Sequence, residues 1–161
     1  MKKLTSFALA FALCTACAVP VFAADATSGV TNPTSGKTNI TTNIQPSYTV
    51  DIPADTAIDF NTKDKIFETE LGLSKAQLNP GYKVKVTATV NPLKNKKDSS
   101  KTIPFALHKA DGTAFTSATF ADTIEKVQLR VHITEDAWNK APAGDYEGSV
   151  TFTITYTNEA G

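Results

Sequence analysis

The chain has 161 residues, 16 lysines and arginines against 16 aspartates and glutamates, and two cysteines. A balanced charge gives no electrostatic reason to expect nucleic acid as a partner. Both cysteines, Cys14 and Cys17, fall in an N-terminal stretch that reads as a leader, so those totals describe a precursor.

Lys2 and Lys3 form a basic start, and residues 4–19 are almost uninterrupted apolar or small side chains. Pro20 breaks the run, and Val21-Phe22-Ala23 before Ala24 fits the small-x-small cleavage rule of secretory signals. The apolar run is shorter than the roughly 20 residues a membrane-spanning helix needs. Residues 1–23 are therefore expected to be a cleaved signal peptide. The alternative is a lipoprotein signal with Cys17 acylated; Thr15 and Ala16 suit it, but Leu13 stands four residues before Cys17 and Cys14 takes the place the motif wants for leucine. Cleavage after Ala23 leaves 138 residues with 14 basic and 16 acidic side chains and no cysteine. That excludes a disulfide framework, a thiol nucleophile and a cysteine-ligated metal. A single domain of that size buries about 68% of its unfolded-chain surface, enough for a core without staples.

Residues 24–37 hold little but Ala, Asp, Thr, Ser, Gly, Asn, Pro and Lys around a lone Val30. Such a composition does not offset its ordering entropy and is expected to form a flexible tether ahead of one domain at 38–161. From Ile40 the pattern turns to period two: Ile40, Thr42, Ile44, Tyr48, Val50 and Ile52 share one parity and polar residues the other. Pro46 cannot donate to a ladder, so one strand should end there and another begin near Ser47. Ile58 and Phe60 suggest a short strand. Phe67, Leu71 and Leu73 share a face opposite Glu68 and Glu70, and Asn79-Pro80-Gly81 is turn chemistry. Tyr82, Val84, Val86, Ala88 and Val90 then alternate with Lys83, Lys85, Thr87 and Thr89.

Ile103, Phe105 and Leu107 lead to Asp111-Gly112, a dipeptide suited to a tight turn. Val127, Leu129, Val131 and Ile133 alternate with polar residues. In the last strand Tyr146, Val150, Phe152, Ile154 and Tyr156 are expected to be core, against a Ser/Thr ladder at 149, 151, 153 and 155. Single helical turns fit at Ser74–Leu78 and Glu135–Asn139. The expected fold is an all-β antiparallel sandwich, immunoglobulin-like or fimbrial-like, of about seven to nine strands.

Catalytic chemistry has little to draw on. His108 and His132 lie on the polar parity of their strands, where a histidine is usually just solvated, and neither has a second ligand at metal spacing. No nucleophile elbow or phosphate-cradling glycine loop occurs. Asp51, Asp55, Asp59 and Asp64 lack the close ligand packing of a calcium loop. Lys94, Lys96, Lys97 and Lys101 crowd one loop, expected to be a solvated tip. The lone tryptophan, Trp138, is expected to plug one end of the sandwich, with an exposed ligand contact as the alternative.

Pro142-Ala143-Gly144-Asp145-Tyr146-Glu147-Gly148, followed by a long alternating strand, resembles the terminal hairpin of fimbrial-type and other secreted bacterial β-sandwich subunits. Tyr48-Thr49-Val50-Asp51-Ile52-Pro53 is similar to the opening strand of small surface proteins of Gram-positive bacteria. The resemblance implies a structural or adhesive subunit at the bacterial cell surface, with no enzyme activity and no cofactor. If such subunits self-associate or join other surface proteins, Ile40, Thr42 and Ile44 form the candidate assembly strand, completing a neighbour's sheet by β-strand addition. The competing expectation, favoured by effective concentration, is that residues 38–45 pair within their own domain as the first strand. The alternative function is a secreted carbohydrate- or ligand-binding module with Trp138 as its contact.

Overall fold

The computed structural model describes residues 37–158. The expected leader with Cys14 and Cys17, and the tether as far as residue 36, lie outside the described residues. In chain order the elements are β1 (Ser47–Asp51), β2 (Asp64–Ile66), β3 (Leu71–Gln77), β4 (Tyr82–Asn95), β5 (Thr102–Ile103), β6 (Ala106–Lys109), β7 (Ser117–Phe120), β8 (Lys126–Val127), β9 (Leu129–His132), α1 (Glu135–Lys140) and β10 (Tyr146–Asn158). Every strand pairing is antiparallel, and the fold is an all-β sandwich.

One layer is built on β4. It pairs with β10 along one edge through twelve register pairs, and along the other with β7 and then β5. The second layer runs β1, then β3 with β2, then β8 with β9, then β6. The described residues contain ten strands, above the expected seven to nine, because two long runs are each broken once. Residues 64–77 face residues 126–132 as β2–β9 and β3–β8, and the Phe67 amide bridges the break by donating to Leu129 O at 3.0 Å. Gln128 sits in the gap, its side chain donating to Phe67 O at 2.6 Å.

Between the layers lies one apolar cluster: Leu71, Leu73, Val84, Val86, Ile103, Leu107, Phe120, Leu129, Val131 and Ile133 are almost wholly excluded from water. Alternation explains it, because successive strand side chains point to opposite faces. On β4 the inward parity is even through Val90, yet Leu93 and Asn95 also turn inward. A bulge makes the switch, the register passing from Val90 opposite Val150 to Lys94 opposite Glu147 so that Pro92 and Leu93 face the single Gly148. Pro92 has no amide to lose from the ladder there. A side chain at Gly148 would meet Asn91 O and Leu93 N at 2.9 Å, so glycine is required.

Several local expectations are corrected. Residues 74–77 belong to β3 and are not a helical turn, because Ala76 and Lys75 are held opposite Tyr48 and Thr49 of β1. Ile58 and Phe60 lie in the long loop between β1 and β2 and not in a strand. Residues 37–46 form no strand, so Ile40, Thr42 and Ile44 are not the domain's own first strand. The cause is local: Ser47 pairs with Gln77, the last residue of β3, and beyond it Asn79-Pro80-Gly81 turns away, leaving no backbone for residues 38–45 to meet. Nor is the inward row of β10 wholly core. Tyr146, Val150, Phe152 and Tyr156 are half-buried against the cluster, and Ile154 is 38% exposed and outside it. Among the described residues β10 pairs with β4 alone, so its other edge carries no strand.

The helical turn at 135–139 is present as α1. Thr134 caps it, its hydroxyl accepting from the Ala137 amide at 3.2 Å, with Glu135 and Asp136 in the first turn and Lys140 in the last. Those charges complement the helix dipole.

The difference between the sealed core and the exposed end of the β10 row is measurable. Phe120→Ala should lower unfolding free energy by about 3–5 kcal/mol, whereas Ile154→Ala should change it by about 1 kcal/mol or less. Urea denaturation of both variants checks this, and equal losses would mean that the β10 row is packed as tightly as the core.

Candidate assembly groove at the β10 edge

Residues 38–45 are exposed throughout and, among the described residues, pair with no strand. Ile40 is 93% exposed and Ile44 62% exposed, with Thr42 exposed between them. Surface isoleucines occur singly on many proteins; two at strand spacing on an unpaired backbone form one apolar edge. The segment carries no charged side chain.

Where this segment joins β1, three tyrosines tie the layers together. Tyr48 stacks on Tyr156 with centroids 5.6 Å apart, and Tyr82 stacks on the same ring at 4.8 Å. The Tyr156 hydroxyl accepts from the Asn79 amide at 2.9 Å. This places the start of β1, the start of β4 and the finish of β10 at one end of the sandwich.

At the opposite end, where β10 begins, a groove of about 900 Å³ opens between the 56–60 loop and the 141–148 segment. Its floor is apolar, with Ile58, Leu93 and Ile103. Its charged lining residues are Lys96, Asp145 and Glu147, and Lys96 is paired with Glu147 at 3.0 Å. The Asp145 carbonyl accepts from the Lys96 amide at 2.8 Å, which fixes the lysine-rich loop against β10. Asn95, buried beneath that loop, accepts from the Lys97 and Asp98 amides and orders its turn. The other lip is a turn in which the Thr62 amide donates to Asp59 O at 3.1 Å and Asn61 has a φ of 66°. A positive φ at the third turn residue suits asparagine and leaves Phe60 at the tip.

Phe60 is 80% exposed, with its ring edge-on to Trp138 at 5.6 Å. Trp138 itself is buried. Its indole Nε1 donates to Thr62 O at 3.0 Å, so the ring supports the Phe60 turn and its hydrogen bond is already used. The alternation of Ile58 with Phe60 suggests a strand, and Phe60 does not stand out as a lip residue in the sequence. The signal that was there is Asn61, a residue suited to a left-handed turn position.

The two candidate histidines meet on the outer face of the second layer. Their rings stack at 5.0 Å, and His132 Nδ1 lies 2.9 Å from Asp64 Oδ1. Arg130 Nε stands 3.4 Å from the same carboxylate oxygen. The His132 hydrogen bond, helped by the Arg130 charge, holds Asp64 below the usual carboxylate range. Among the described residues, no three His, Cys, Asp or Glu side chains converge on a metal position. Also among them, no helix is long and apolar enough to cross a membrane.

A carboxylate with a depressed folded pKa adds stability that is complete above its unfolded pKa, near 3.8, and is lost as pH falls through the folded value. Asp64→Asn should therefore lower stability at pH 7 by less than about 1 kcal/mol, since the carboxylate faces solvent. The gap to the unsubstituted protein should close on acidification below the unfolded pKa, as read from denaturant midpoints across that range. A gap that persists in acid would locate the effect elsewhere than in the carboxylate charge.

The chain matches no protein-family model and no curated protein.

Proposed function

We propose that the protein is a secreted, non-enzymatic structural or adhesive subunit of a bacterial cell surface, joined to its neighbours by β-strand addition. The observation that carries this reading is the pairing of two unfinished features in one molecule. Among the described residues, 38–45 are an exposed alternating segment with no partner strand, and β10 is an edge strand whose inward row is only half covered. An open strand edge is a template for another strand, and strand addition satisfies both backbones at once. Full burial of one isoleucine contributes about 1.5–3 kcal/mol, so Ile40 and Ile44 together supply a driving force of a few kcal/mol.

The leader expected at residues 1–23 supports export, and the cysteine-free remainder needs no oxidising compartment to fold. A second reading, a carbohydrate- or ligand-binding module, is favoured by one observation, the exposed Phe60 ring at the lip of the groove. In that reading Phe60 is the contact and Trp138 its support.

Size exclusion with light scattering and electron microscopy of the chain from Ala24 tests the first reading. The unsubstituted chain should assemble at high concentration, and Ile40→Asn with Ile44→Asn should return it to monomer without lowering its melting temperature. Monomers in both cases would sink it. Glycan-array binding lost in Phe60→Ala would support the second reading, and an array with no binding would remove it.

A further inference from the structure

We propose that His108 and His132 form a two-imidazole binding site for a late first-row transition metal ion, copper(II) above all, on the outer face of the second layer. The site is independent of the assembly reading, and neither histidine lines the groove.

Strand register brings the pair together. His132 of β9 faces Ala106 of β6, and Arg130 faces His108, so the two histidines are diagonal neighbours on adjacent strands. Leu107 and Val131, next to them in the chain, are buried, which turns both imidazoles to the outer face. Diagonal side chains across a strand pair lie within mutual reach. Here the rings stack with centroids 5.0 Å apart and planes 11° from parallel. Both backbones are held from two sides. His132 pairs with Asp64 of β2 as well as with Ala106, and His108 is bridged to Ala114 as well as paired with Arg130. A site built on paired strands places its ligands more precisely than one built on a loop.

Asp64 then sets the tautomer of one ring. An ionised carboxylate only accepts hydrogen bonds, so the His132 Nδ1, 2.9 Å from Asp64 Oδ1, carries the proton and Nε2 keeps its lone pair. A carboxylate behind a histidine orients the imidazole and raises its basicity as a ligand. Two metal–nitrogen bonds of about 2.0–2.1 Å bring the ligating nitrogens within about 4 Å of each other. Rings whose centroids are 5.0 Å apart reach that spacing by turning about their own side-chain bonds, with no backbone shift. Imidazole suits zinc, nickel and copper, and copper(II) binds most tightly of the three. Among the described residues no third metal-ligating side chain converges on the pair, so water fills the remaining positions. Asp64, 3.4 Å from Arg130 Nε, balances the nearby guanidinium charge and so makes room for a dication. Both histidines are partly exposed, which leaves the site open to an ion from solvent.

The test adds copper(II), supplied as its glycine complex, to the untagged chain from Ala24 at neutral pH. Calorimetry should show one copper per chain, and electron paramagnetic resonance should show two imidazole nitrogens on the metal. His108→Asn and His132→Asn should each lose the two-nitrogen spectrum. Asp64→Ala should keep that spectrum and weaken binding about 10–100-fold, as expected of a positioning residue. Unchanged affinity in Asp64→Ala would overturn the role of the carboxylate. A two-nitrogen spectrum that survives either histidine substitution, or binding to the unsubstituted chain no tighter than to the double variant, overturns the site. One measurement needs no substitution and therefore no assumption about folding: substoichiometric copper(II) should broaden the ring resonances of His108 and His132 in nuclear magnetic resonance spectra before any others. Broadening centred elsewhere would place the metal away from this pair and sink the proposal.

Discussion

The ladder between β4 and β10 is the constraint on which the rest of the architecture depends. β4 is paired on both sides, so its inward residues Val84 and Val86 are sealed and anchor the core. β10 is paired on one side, and its inward row inherits only half of that protection. The bulge opposite Gly148 turns Leu93 inward and so gives the groove its apolar floor. One backbone irregularity thus links the interior to the surface groove.

Much of this was legible in the sequence because one-sided burial writes itself as alternation. The runs from Tyr82 to Val90, from Val127 to Ile133 and from Tyr146 to Tyr156 all lie in strands or at their ends, with the α1 turn in its expected place. Alternation does not say how many sides of a strand are paired. It therefore marked Ile154 as core together with Val150 and Phe152, of which the last two do pack half-buried against the cluster and only Ile154 is left exposed. Ser74–Leu78 read as helix because local propensity says nothing of β1 lying alongside.

The candidate site was legible in part for the same reason. Ile40, Thr42 and Ile44 announce an apolar strand face, but not whose sheet it would meet. The fold answers the intramolecular half of that question, since β3 ends opposite Ser47 and turns away. Phe60 was hidden because a turn tip and a strand can both follow an apolar residue two places earlier. Only the hydrogen bond from Thr62 to Asp59, and the indole beneath, separate the two.

The tyrosine stack has a mechanical consequence. Any pull on residues 37–46 enters the domain at Ser47 and is directed along β1, whose five register pairs with β3 would resist in shear, all at once and not one after another. Asp51, bonded to Ser74 and Lys126 at the far end of β1, shares the load with the second layer. Tyr48 passes part of it to Tyr156, and so to β10 in the first layer. The junction of tail and domain is thereby braced against traction from outside.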